Sequence, residues 1–219
     1  VIAILTAIAA GFVRGLAGFG LSVVLVPVLQ IWIDPSAAVL IGIICLGLMG
    51  LTDLGRIRRD ADRVSAVPII AIALACMPLG LWALVALPTE WARVLIAMVS
   101  LGAFVLVVVP LGKVTLGRKA ALGISGFFTG FFGGFAGMPG PGMAPFYLRG
   151  RLSPAAARAS MMGVFVVVTP LSAVFFIALG IGDWFGHRAY GRVTKRQWQV
   201  STAAVLGAAA IAALVKLVN

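Results

Sequence analysis

Arg14 is the residue in this chain that most needs a chemical reason. It stands between Val13 and Gly15 in an otherwise uncharged run, G-F-V-R-G-L-A-G-F-G-L-S-V-V-L-V-P-V-L, from Gly11 to Leu29. A guanidinium in such surroundings is costly unless it meets an opposite charge, and a small anion would supply one. The glycines around it suit the same task. Without a Cβ, the backbone N–H groups of a tight turn can converge on one point, and a half-helix beginning there adds the positive end of its dipole. Gly15, Gly18 and Gly20 are therefore candidate anion ligands, with Ser22 in the first turn of the half-helix expected to follow. The alternative makes residues 1–13 a short lead-in and Arg14 an interfacial residue snorkelling to the headgroups.

A second segment repeats the pattern. Gly11, Gly15 and Gly18 recur with identical spacing as Gly126, Gly130 and Gly133 in G-F-F-T-G-F-F-G-G-F-A-G-M-P-G-P-G-M-A-P-F-Y-L. Pro27 then matches Pro145, but only with three extra residues in the second glycine loop. The run from Gly137 to Gly142 cannot be regular helix, and a half-helix is expected to restart around Pro141 to Met143. Gly133, Gly134, Gly137, Pro139, Gly140 and Gly142 join the candidate ligands. So does Thr129, which takes the place of Arg14 in the repeat; it either donates to the anion or bonds its own helix carbonyl. One copy is charged and the other is not, which points to one anion site and not two.

Other polar residues are candidates for gating or coupling. Arg158 and Ser160 open the helix after the second glycine segment; Arg158 reads as an anchor to the cytoplasmic face or as a gate that greets the anion. Asp53 is either a solvated residue at a helix end or a proton carrier. Phe131 and Phe135, beside the glycines, are packing residues or hydrophobic gates. Apart from Asp34, Asp53 and Asp183 near span ends, the apolar runs hold no carboxylate, so an intramembrane proton relay is not expected, and any coupling would fall to protonation of the anion itself.

No nucleophile–base pair and no His/Cys/Glu cluster is visible, so no enzyme, metal or cofactor is expected. Cys45 and Cys76 lie in apolar stretches away from the glycine turns and read as small buried hydrophobes, against a sulfur-relay importer of thiosulfate.

The elements that position these residues follow from composition. Of the 219 residues, 62% are hydrophobic and 11% charged, with mean hydropathy +1.16. A soluble domain carries about 25% charged residues, so this is an all-α polytopic membrane protein. The net charge of +11 lies in short connectors, the pattern of loops facing anionic lipid and not of a nucleic-acid surface. Apolar runs mark helices at 37–52, 66–87, 92–112, 159–181 and 200–218. The first repeat is expected over 1–112 with its glycine segment at 1–29, a cytoplasmic linker over 113–119, and the second repeat over 120–219 with its glycine segment at 120–148. Arg56, Arg58, Arg59 and Arg63 place connector 53–65 inside the cell, as Lys113, Arg118 and Lys119 do for the linker.

If the glycine segments cross the bilayer, the halves run parallel; if they are re-entrant hairpins, the halves are inverted. Both versions leave a similar excess of Lys and Arg inside. The inverted version is the expectation, because a glycine turn in mid-membrane is most easily placed where two half-helices meet. The stretch from Asp183 to Arg188 reads as interfacial, and the second half has no counterpart of the first half's last helix. The chain opens on Val1 with no charged n-region, so no signal peptide is read; a start trimmed of its methionine and a continuation past Asn219 are the expectations.

The paired G-x-x-x-G-x-x-G segments, the first ending in V-P-V-L and the second in the glycine–proline run to Leu148, resemble the TauE/SafE family of sulfite exporters. The resemblance covers nearly the whole chain in segment order, though the family's usual eight segments are not all accounted for. It implies export of a small oxyanion, sulfite or a C2 organosulfonate such as sulfoacetate, through a bacterial inner membrane by alternating access. A passive anion channel and a carrier of another small anion, thiosulfate or a carboxylate, are the alternatives. Expected partners are the anion and the lipid bilayer, with no nucleic acid; self-association into a homo-oligomer is left open.

Overall fold

The computed structural model describes residues 2–108, 117–150 and 152–190. All the elements among them are helices: α1 Ile2–Ala17, α2 Leu21–Leu29, α3 Pro35–Leu51, α4 Leu54–Asp60, α5 Arg63–Ala86, α6 Thr89–Val108, α7 Arg118–Ala136, α8 Gly140–Arg149 and α9 Pro154–Tyr190. The chain divides into two units, Val1–Phe176 and Ile177–Asn219. Everything that follows concerns the first. The second is described as far as Tyr190 and is helical there, including the stretch from Asp183 expected to be interfacial. The expected helix at 200–218 lies outside the described residues.

Local chemistry explains where the helices begin and break. The side chain of Asp34 accepts from the Ser36 backbone N–H at 3.1 Å and Pro35 opens α3, two residues ahead of the apolar run. Ser153 and Pro154 do the same for α9, with Ser153 Oγ accepting from Ala156 at 3.2 Å. Asp34-Pro35-Ser36-Ala37 and Ser153-Pro154-Ala155-Ala156 thus perform the same local task. Asp62 caps α5 by accepting from Val64 at 3.2 Å, so that helix begins at Arg63. Between α3 and α4 the axis bends by 67°. At this break the Asp53 N–H bonds Gly50 and not Met49, which leaves the Met49 carbonyl for side chains to satisfy.

Arg63–Ala86, Thr89–Leu106 and Pro154–Ala178 are long and apolar enough to cross a membrane, and the bent α3–α4 pair makes a fourth if counted as one span. The distribution of side chains is that of a membrane protein. Phe12, Trp82 and Leu101 are 67%, 68% and 64% exposed, while Arg14, Ser22, Asp53, Thr129 and Thr169 are buried. Apolar groups face outward and polar groups inward, as lipid requires.

Glycine makes the tightest helix pair possible. A Cβ on Gly130 would fall on the Ala73 carbonyl of α5, one on Gly134 on the Met77 carbonyl, and one on Gly80 on the Phe131 carbonyl of α7. Gly126 sits 2.7 Å from Ile72 by the same measure. Gly126, Gly130 and Gly134 recur every four residues, so they line one face of α7 and let the two backbones touch. On α8, Gly142 would likewise meet the backbone nitrogen of Thr129. Gly142 lies five residues beyond the turn at Gly137 and Thr129 eight residues before it, so α8 folds back along α7.

Candidate anion-binding site

Both glycine segments are broken helices, and the breaks are backbone events. Between α1 and α2, Gly18 and Gly20 have φ of 81° and 105°. Gly137 ends α7 with φ 64°, and both its own N–H and that of Met138, the latter at 3.0 Å, reach back to the Phe132 carbonyl. Such φ values strain any residue with a Cβ. The helices that restart, α2 and α8, have no side-chain cap at Gly20 or Pro139. Their first N–H groups therefore have no side-chain acceptor at the N-cap.

The two turns touch. Phe19, 5% exposed, packs on Gly140, where a Cβ would lie 3.1 Å from the ring. Gly133 faces Pro139 at 3.4 Å and Gly137 faces the Val39 carbonyl of α3 at 3.1 Å. Two hydroxyls on the flanking helices are buried without a hydrogen-bond partner among the described residues: Ser22 Oγ on α2 and Thr129 Oγ1 on α7. Thr129 does not bond its own helix carbonyl. Thr169 on α9, overlooked at the sequence level, is in the same condition. Buried hydroxyls almost always find partners, and these three have none among the described residues.

The other expected site residues are distributed as follows. Gly15 has open space where a Cβ would be, and Gly20 packs on Val13. Gly134 is occupied with α5, as described above. Arg14 is buried and paired: one Nη donates to Asp53 Oδ2 at 2.7 Å and to the freed Met49 carbonyl at 3.0 Å. Thr52 donates to the same carbonyl at 2.7 Å. Asp53 also accepts from Arg56 at 3.1 Å. Arg14 thus staples α1 to the α3–α4 bend, and its charge is met from within the chain.

Arg158 differs. Its aliphatic stem lies on the first glycine turn, with Cγ 2.5 Å from where a Gly18 Cβ would be. Its Nε is buried and has no partner among the described residues. Ser160 is fully engaged: it accepts from the Asp62 N–H at 2.8 Å and donates to the Ala156 carbonyl at 2.7 Å. Asp62 in turn accepts from Ser65 at 2.7 Å, and Ser65 shares a hydrogen bond with the buried Tyr147 hydroxyl at 3.2 Å. This network joins α5, α8 and α9. Its sequence signal was D-R-V-S at 62–65, a capping pattern inside a charged connector. Phe127, Phe131 and Phe135 stack along α7 about 6 Å apart, and Phe135 belongs to an apolar cluster with Val39, Ile43 and Ile96. No metal-binding group of three or more His, Cys, Asp or Glu occurs among the described residues.

The family model for the sulfite exporter TauE/SafE matches residues 3–218. The chain belongs to this family. It is therefore a multi-pass membrane transport protein, in keeping with its outward apolar groups and long apolar helices. No curated protein and no solved structure matches it. For a TauE/SafE chain, the paired glycine turns are the natural place to look for the anion.

Proposed function

We propose that this protein is a carrier that exports a small oxyanion, sulfite or a short organosulfonate, across a bacterial cytoplasmic membrane by alternating access. The anion is held where the two glycine turns meet. The observation that carries this reading is the contact of Phe19 with Gly140, which brings together two uncapped helix starts and flanking helices whose Ser22 and Thr129 hydroxyls are unpartnered. Helix starts present free N–H groups and positive dipole ends to an anion. Exchange of hydration for fixed donors lowers the cost of taking the charge out of water.

Folding back of α8 along α7 supports re-entrant hairpins and hence inverted halves. In such a carrier Phe19 separates the two sides in one state and swings aside in another. The test is flux of radiolabelled sulfite in proteoliposomes with unlabelled anion trapped inside. Saturable uptake driven by counterflow is the expected result. Flux that never saturates, or that shows no counterflow, would reject a carrier in favour of a channel. Absence of flux for every small oxyanion would reject the reading altogether.

A further inference from the structure

A cavity of about 380 Å³ lies between the end of α8 and the start of α9. Its wall combines Arg158 and Tyr147 with the apolar side chains of Leu148, Leu152, Ala155 and Met161. The volume is at the small end of small-molecule sites, which run from about 300 to 1,000 Å³. The Arg158 guanidinium, its Nε buried without an acceptor, is the charged group among the described residues lining it. Tyr147 is held by Ser65.

We infer that this cavity binds an organic monoanion with a short apolar tail, its acid head on Arg158 and its tail against Leu148, Leu152 and Met161. The inference goes beyond the carrier reading: the cavity lies at the Tyr147–Leu148 end of α8, and none of Phe19, Ser22, Thr129 and Gly140, the residues of the glycine-turn site, lines it. A guanidinium edge presents two parallel N–H groups, which match two oxygens of a sulfonate or carboxylate. A buried donor without an acceptor is costly, and such a head relieves that cost. Apart from Tyr147, which Ser65 holds, the other lining side chains (Leu148, Leu152, Pro154, Ala155, Ala157 and Met161) are apolar and offer no side-chain donor for a second charge. A bare, strongly hydrated inorganic anion would lose water there without replacement, and a dianion such as sulfoacetate, its sulfonate on Arg158, would bury its carboxylate against Leu and Met.

Gly18 couples the site to the first broken helix. The Arg158 stem fills the space that a Cβ would take, so the position of the head-binding group and the shape of the turn are linked. Arg14 cannot play this part, since Asp53 already neutralises it.

The experiment is calorimetric binding to the full chain in detergent, using methane-, ethane- and propanesulfonate, sulfite and sulfoacetate. Each added methylene should tighten binding about four-fold, and propanesulfonate should outbind both sulfite and sulfoacetate. Arg158→Gln should weaken alkanesulfonate binding at least ten-fold. Ala155→Phe, at an exposed position that lines the cavity, should flatten the tail series while leaving methanesulfonate little changed. A flat tail series on the unmodified protein, tighter binding of sulfoacetate than of propanesulfonate, or an unchanged Kd in a folded Arg158→Gln protein would each overturn the inference. The tail series needs no variant, so it decides even if Arg158→Gln does not fold. Sulfite counterflow measured in parallel separates the two readings. Flux without the tail preference leaves the carrier and removes this site; tail-dependent binding without any flux does the reverse.

Discussion

Replacing Asp53 by Asn should be one of the most damaging single changes in the protein, and its cost should be recoverable. Asp53 and Arg14 side chains are each 5% exposed and 2.7 Å apart. Loss of the carboxylate charge leaves the guanidinium buried without a countercharge, facing the neutral Met49 carbonyl and the amide oxygen of the new side chain, with no partner for Nε among the described residues. Breaking a buried pair from one side typically costs about 3–5 kcal/mol, most of it the price of the stranded charge. Arg56, the other partner of Asp53, is 65% exposed, so Arg56→Ala should cost no more than about 1 kcal/mol. Removing both buried charges is different: in the double variant Arg14→Met, Asp53→Leu nothing charged is left behind, and stability should return to within about 1–2 kcal/mol of the parent. Equilibrium unfolding in mixed micelles, applied to Arg14→Met, Asp53→Leu, the double variant and the parent, completes the cycle, with Asp53→Asn measured beside them. The reasoning fails if Asp53→Asn unfolds like the parent, or if the double variant is no more stable than Asp53→Asn.

Three further outcomes are expected from the same measurement. Gly130→Ala, which drives a methyl group into the Ala73 backbone of α5, should destabilise by about 2–3 kcal/mol, whereas Gly15→Ala, with open space at that point, should be neutral or stabilising by about 0.5–1 kcal/mol. Gly137→Ala should cost about 1–3 kcal/mol, for its positive φ and for a Cβ that would come within 3.1 Å of the Val39 carbonyl. Asp62→Ala removes the cap of α5 and the acceptor for Ser65, and should lower stability by about 1–2 kcal/mol.

The sequence was most informative where chemistry is local. The membrane class follows from hydropathy, and the broken helices follow from glycines that no lipid-facing helix would need. Start positions were less legible, because Asp34 and Asp62 extend α3 and α5 beyond their apolar runs by capping. Helix α4 lay hidden in a connector that reads simply as charged. Roles of individual glycines were the least legible. Gly133 and Gly134 are adjacent in the chain, yet one faces Pro139 of the turn and the other the backbone of α5. Only the direction each points distinguishes them, and a glycine gives no side chain by which periodicity could show it. The same holds for the arginines: Arg14 and Arg158 look alike in sequence, and it takes the bend at Asp53, far along the chain, to neutralise one of them.

The backbone contacts of α7 also bear on how this protein tolerates mutation. Gly130 and Gly134 meet the backbone of α5 on one side, and Gly142 meets the backbone of α7 on the other. Every glycine codon begins with two guanines, and a change at either converts it to a stop or to a residue that carries a Cβ. At these three positions no missense change is therefore small, and the usual gradation from conservative to radical substitution collapses. A saturation library selected for folded protein should show three near-empty columns there, beside a permissive one at Gly15.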